Sequence, residues 1–200
     1  FFPALAAFVI FLLPEDAKGT IRRLAFIFSL VPLLLVVYMW FTYDRFDAGI
    51  QFEYIQEWFP AIGSSYHVGV DGISLTMLLL TVILTPLAIL ASFGIEDRVR
   101  IYMALFLIME TASLGLFSAL DLIIFFIFWE FGLVPMYFLI RQWGGADRNY
   151  ASFKFILYTM GGSLGLLLAI QLIGLSTGTF DIIELMTVWV NIPSGGTLPN

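Results

Sequence analysis

Long apolar stretches separated by short polar turns set the layout of this chain. Six are spanning candidates, judged against the roughly 20 residues that a helix needs to cross a hydrocarbon core about 30 Å thick. They are 1–13, 24–43, 72–93, 101–120, 122–140 and 150–175. None alternates apolar and polar positions as a porin strand does, so all six read as helices. The first is short and begins with neither Met nor a basic leader, which reads as a trimmed helix in a chain incomplete at both ends.

Two pieces fall outside these spans. The loop 44–71 contains Phe52-Glu-Tyr-Ile and Tyr66-His-Val-Gly-Val around Pro60 and Gly63-Ser-Ser, a pattern that predicts a small hairpin. Residues 180–190 place Ile182, Ile183, Leu185, Met186, Val188 and Val190 beside Asp181 and Glu184, the pattern of a helix lying in the membrane interface. The expected fold is therefore a single all-α transmembrane domain over 1–200.

Composition fixes the solvent. Hydrophobic residues make up 60% of the chain and charged ones 12%, against roughly 45–50% apolar in soluble domains, so the chain is read as an integral membrane protein in the lipid bilayer. The net charge of −6 then carries no argument for nucleic acid, because the charges sit in separate turns. Zero cysteines exclude disulfides and thiolate-held clusters, and one histidine leaves little scope for haem or zinc. No phosphate loop, metal motif or catalytic triad is present.

The position of the basic residues predicts orientation. Lys18, Arg22 and Arg23, then Arg98 and Arg100, then Arg141 and Arg148 occupy alternate turns, which places those turns in the cytoplasm and the N-terminus outside. The opposite loops are acidic, with Arg45 among Asp44, Asp47, Glu53, Glu57 and Asp71.

Three ionisable groups interrupt the apolar spans. Glu130 lies in the middle of 122–140, where an uncompensated charge would cost several kcal/mol. Glu110 lies as far before the turn at Leu120 as Glu130 lies after it, so both are expected roughly 15 Å from that turn. If their side chains face each other, they form a shared proton site. Lys154 enters the last span near its cytoplasmic end, where snorkelling to the interface is the alternative to a role in the path. A neutral hydrogen-bonding strut is the alternative for both glutamates. Asp71 and Asp121 stand at helix starts as expected N-caps. Pro135, Pro32 and Pro86 lie inside spans, where each removes a backbone hydrogen bond and makes room for side chains or water. Gly161, Gly162 and Gly165 are expected to mark close helix packing.

The order Val68-Gly-Val-Asp-Gly-Ile-Ser, Leu84-Thr-Pro-Leu-Ala-Ile-Leu-Ala-Ser, Ser118-Ala-Leu-Asp-Leu, Phe128-Trp-Glu-Phe-Gly-Leu-Val-Pro-Met, Trp143-Gly-Gly and Lys154-Phe-Ile-Leu-Tyr-Thr-Met-Gly-Gly-Ser carries a resemblance. It resembles the antiporter-like M subunits of bacterial respiratory complex I, NADH:quinone oxidoreductase, whose mitochondrial counterpart is subunit 4. The resemblance implies a fold of about fourteen helices with inverted repeats, of which this chain is an N-terminal portion. It implies proton translocation driven by electron transfer in partner subunits, which hold the flavin mononucleotide, iron–sulfur clusters and quinone, with no cofactor in this chain. Glu130 matches the family's key span-five carboxylate and Lys154 the lysine of its Lys-Phe-x-x-Tyr-Thr motif; Glu110 matches no motif. The implied partners are the other membrane subunits, above all antiporter-like neighbours, and the peripheral redox arm, at the bacterial inner membrane. A multisubunit sodium/proton antiporter and a purely structural membrane subunit remain the alternatives.

Overall fold

The computed structural model describes residues 1–47, 49–59 and 62–190. Their order is α1 (Phe2–Phe11), α2 (Lys18–Thr42), β1 (Gln51–Phe59), β2 (Ser64–Val70), α3 (Gly72–Ala91), α4 (Val99–Ser118), α5 (Leu122–Trp143), α6 (Arg148–Thr177) and α7 (Ile182–Val190). Five helices, α2 to α6, are long and apolar enough to span a membrane when α3 is taken with the single 3-10 turn that follows it. Six spans were expected. The difference is α1, whose 10 residues cover about 15 Å at 1.5 Å each, half of a hydrocarbon core.

The helix starts follow from their caps. Asp71 accepts from Ser74 N at 2.7 Å while Ser74 Oγ accepts from Asp71 N at 2.8 Å, a reciprocal capping box for α3. Asp121 caps α5 by accepting from Ile123 N and Ile124 N. The expected hairpin is present as an antiparallel pair in which Ile55 opposes His67 and Tyr54 opposes Val68.

Two apolar clusters hold the bundle. One joins Ala6, Ala7 and Ile10 of α1 to Ile21 and Ala25 of α2, Ile89 of α3, and Met103 and Leu107 of α4. The other joins Val36 of α2 to Leu75, Leu78 and Val82 of α3, with Leu114 of α4 packed against it. Helix α4 is thus the central element, and α5 closes on its remaining side. There Gly115 lies directly under the Phe128 ring, and a Cβ at Gly132 would meet Ala112 Cβ at 3.5 Å. The Gly115→Ala protein is expected to lose about 1–3 kcal/mol, because the added methyl falls on the Phe128 ring and overpacks the contact. A lower thermal midpoint of the purified protein checks this.

Helix α6 packs on α5 and leaves much of its surface open, including Leu164, Leu168 and Leu172. The close packing expected at Gly161, Gly162 and Gly165 is not formed within the described residues: a Cβ at any of the three meets nothing within 4 Å. Their helix faces outward there, so backbone access is not used by α5.

The basic turns also tie the helices together. Arg22 donates to Ile95 O at 2.7 Å and to Glu96 Oε1 at 2.9 Å, and Lys18 donates to Glu96 O at 2.7 Å. Arg100 donates to Leu13 O and Glu15, and the Trp143 indole N–H donates to Asp97 O. The hydrogen bonds from Arg22 and then Lys18 hold the Glu96 carboxyl below its ordinary range. A lowered carboxyl stabilises the folded turn above its unfolded titration range, and this contribution is lost as pH falls through the lowered folded value. Hydrogen exchange of the 92–98 turn, corrected for intrinsic rates, is expected to quicken on acidification in the natural protein and to be insensitive to pH in Glu96→Gln.

Candidate functional site

Glu110 is the most deeply buried acidic side chain of the spans. It sits on α4 between Leu107 of one apolar cluster and Leu114 at the edge of the other. The residue is 2% exposed, and neither carboxylate oxygen has a hydrogen-bond partner among the described residues.

Glu130 occupies the half-buried stripe Phe126, Glu130, Leu133 and Tyr137 of α5, and its Oε1 is buried without a partner among the described residues. The preceding Trp129 donates its indole N–H to Ser163 Oγ of α6 at 3.3 Å, which sets the contact level between α5 and α6. Pro135, buried five positions on, interrupts the backbone ladder of the same helix.

The two carboxylates do not face one another. Helix α4 ends at Ser118 and α5 starts at Leu122, so at 1.5 Å per residue each glutamate lies about 12 Å inside its helix end. At about 100° per residue, Glu110 lies nearly opposite Ala112 and Gly115 on α4, and Glu130 nearly opposite Phe128 and Gly132 on α5. Those four residues form the interface between the helices, so each carboxylate points away from it. Glu110 belongs to the side of α1, α2 and α3; Glu130 lies on the other side of the pair.

Lys154 is exposed on α6, its Nζ over the rings of Tyr150 at 5.5 Å and Tyr158 at 5.8 Å. One turn before and one turn after the lysine, the two rings hold the ammonium along its own helix. Starting from the Trp129–Ser163 contact, the Glu130 and Lys154 backbones differ by about 12 Å along the helix axes. Among the described residues no ion pair includes Glu110, Glu130 or Lys154.

A polar network at the opposite end from the basic turns was not anticipated from the sequence. His67 of β2 is 2% exposed; its Nε2 lies 2.7 Å from Glu53 Oε1, and its Nδ1 contacts Asp181. Carboxylates only accept, so this trio holds protons on both ring nitrogens or on a carboxyl. Asp181 also accepts from Ile183 N and Glu184 N at the start of α7. Nearby, Asp121 accepts from Ser64 Oγ and Ser65 N at 3.1 Å each. Backbone bonds Leu120 N to His67 O and Ile182 N to Leu120 O complete the cap. Pairing of the strands brings Glu53 to His67, but Asp181 is 114 residues from His67 and no local spacing points to it.

Comparison with known proteins bears on this geometry. A family model described as NADH:quinone oxidoreductase/Mrp antiporter, TM, matches residues 119–197, a range that includes Glu130 and Lys154. The chain is 41% identical over 169 residues to the chloroplastic NAD(P)H-quinone oxidoreductase chain 4 of Chara vulgaris, covering 84% of this chain and 34% of that protein. It is 40% identical over 173 residues to NADH-quinone oxidoreductase subunit M of Rhodobacter capsulatus, covering 86% of this chain and 33% of that one. It thus spans about a third of the length of the curated relatives it matches. A chain of respiratory complex I from Thermus thermophilus with bound NADH superimposes with a TM-score of 0.80 at 29% identity, over 93% of this chain and 38% of that one.

Proposed function

The chain belongs to the family of NADH:quinone oxidoreductase/Mrp antiporter transmembrane proteins, and from that membership we propose that it is the N-terminal portion of an antiporter-like subunit M that translocates protons in the membrane arm of NADH:quinone oxidoreductase. The observation that carries the reading is Glu130: a carboxylate eight positions into α5, one oxygen buried without a partner, next to a proline-interrupted ladder, within the matched range. Such a group is expensive in a bilayer unless it binds and releases a proton or meets water.

In this reading Glu130 is the titrating group and Lys154 the movable charge. Whether a carboxylate keeps its proton depends on the charges around it, so displacing an ammonium switches it between loading and release. Lys154 starts some 12 Å away along the axes, lodged between two tyrosines on the open side of α6. It therefore acts through an intervening charge or water, supplied by helices of the full-length subunit. Electron transfer in partner subunits drives the switch. With no cysteine in its 200 residues, this chain offers no thiolates for a cluster, and flavin mononucleotide, iron–sulfur clusters and quinone belong to partner subunits. Neighbouring antiporter-like subunits flank the chain in a bacterial inner membrane, with the turns carrying Lys18, Arg98 and Arg148 in the cytoplasm and the N-terminus outside.

Affinity capture of the full-length subunit from native membranes, followed by proton uptake into inverted vesicles during quinone reduction, tests the assignment. Flavin and iron–sulfur subunits in the captured assembly, with redox-driven uptake, are expected. Capture with small antiporter subunits and sodium/proton exchange without a redox donor would replace this function with the exchanger alternative, in which Glu130 serves the same carboxylate chemistry.

A further inference from the structure

Glu110 is left out of the Glu130 path by its direction, yet its surroundings are built for something other than apolar packing. On α2, α3 and α4 the apolar stripe is broken at the same layer, while α1, which also packs on α4, keeps its buried stripe of Pro3, Ala6, Ala7 and Ile10. On α2, Ala25 and Val36 belong to the two clusters, and the buried residues between them are Ser29 and Pro32. On α3, Val82 and Ile89 flank buried Pro86. On α4, Leu107 and Leu114 flank Glu110. The prolines lack an N–H, so the carbonyls of Phe28 and Val82 lose their usual helical donors. Two orphan carboxylate oxygens and two freed carbonyls therefore occur in one layer, the composition of a site that binds water rather than of a dry core.

A cleft that carries hydroxyl groups lies beside residues of that layer. A cleft of about 370 Å³ opens between α3, α4 and α5, with Thr81, Thr85 and Ser113 in its wall. Each of these hydroxyls donates to a carbonyl of its own helix, at 2.9, 3.0 and 3.0 Å, and keeps its lone pairs free to accept from water. Ser113 follows Glu110 by three positions, on the adjoining strip of α4, and Thr85 precedes Pro86 directly.

We propose that Glu110, with the layer around Pro32 and Pro86, is a buried water-and-proton site separate from Glu130 and supplied through the Thr81–Thr85–Ser113 cleft. The site exchanges protons with water whether a redox arm or an exchanger surrounds the chain, so its test is independent of the assignment above.

The test is infrared spectroscopy of the assembled complex, containing the full-length subunit with ¹³C-labelled glutamate, during transfer from H₂O to D₂O. A protonated-carboxyl C=O band that shifts in D₂O and is missing in Glu110→Gln is expected. Replacing Thr85 by valine and Ser113 by alanine together, which removes both hydroxyls and adds no bulk, is expected to slow that shift roughly tenfold, the scale of one lost hydrogen bond on the water route. A Glu110 band that does not shift during prolonged D₂O exposure, or an exchange rate unchanged by the loss of both hydroxyls, overturns the proposal and leaves Glu110 a dry strut or an uncoupled group. If Glu110→Gln does not assemble, ordered water density at the Glu110 carboxyl in a high-resolution structure of the natural complex decides: water within hydrogen-bond distance supports the site, and a dry, fully packed layer rejects it.

Discussion

Replacing Glu130 by glutamine is expected to reduce redox-driven proton uptake by about a hundredfold or to background, the scale on which positioned proton-transfer groups act. Glutamine retains the size of the side chain and its ability to hydrogen bond but cannot bind and release a proton near neutrality. Because Glu130 is half-buried and makes no hydrogen bond or ion pair among the described residues, the substitution removes no structural contact, and assembly should survive. Uptake into inverted vesicles, measured on a complex shown to contain all its subunits, separates chemistry from folding. Glu130→Asp should restore part of the activity, since it returns the titrating group about one bond length short. Uptake at natural levels in the glutamine protein would make the carboxylate a strut and remove the centre of the proposed function.

The Asp121→Ala protein is expected to show the largest loss of stability, about 3 kcal/mol, from a lost helix cap together with buried donors left unsatisfied. Asp121 is fully buried and accepts from Ile123 N at 2.8 Å, Ile124 N at 3.1 Å, Ser64 Oγ at 3.1 Å and Ser65 N at 3.1 Å. Its removal strips the first turn of α5 and releases the hairpin from it at once. Asp71 provides the comparison. It caps α3 through the reciprocal bond with Ser74 alone, so Asp71→Ala should cost only about 1 kcal/mol. Thermal midpoints of the two purified proteins, with proteolysis of the hairpin as a second reading, check both values. An equal loss in the two proteins would mean that the hairpin contacts of Asp121 contribute nothing.

Asp121 also shows how far sequence reasoning reaches. A carboxylate before an apolar run signals an N-cap, since the donors it satisfies lie two and three positions on. Its second set of partners, Ser64 and Ser65, lies 57 and 56 positions back. No periodicity connects them; only the docking of the hairpin on the α4–α5 turn does. His67 is the stronger case. A lone histidine in the sequence argued only against haem and zinc, whereas in the fold it is buried between Glu53 and Asp181 and joins three separate segments.

The order of residues along the chain is enough to establish a membrane protein of long apolar helices, the aspartates that cap α3 and α5, which carboxylates interrupt the helices, and the family to which the chain belongs. Each of these depends on spacing within one segment, because a bilayer demands length and apolarity from every span separately. Packing in three dimensions was needed to show that Gly161, Gly162 and Gly165 are not covered by α5, and that Glu110 and Glu130 turn their backs on each other across α4 and α5. Rise per residue gives depth from sequence, but the rotation of one helix against another is set by packing contacts such as Gly115 under Phe128. Two side chains at one depth meet or part according to that rotation alone.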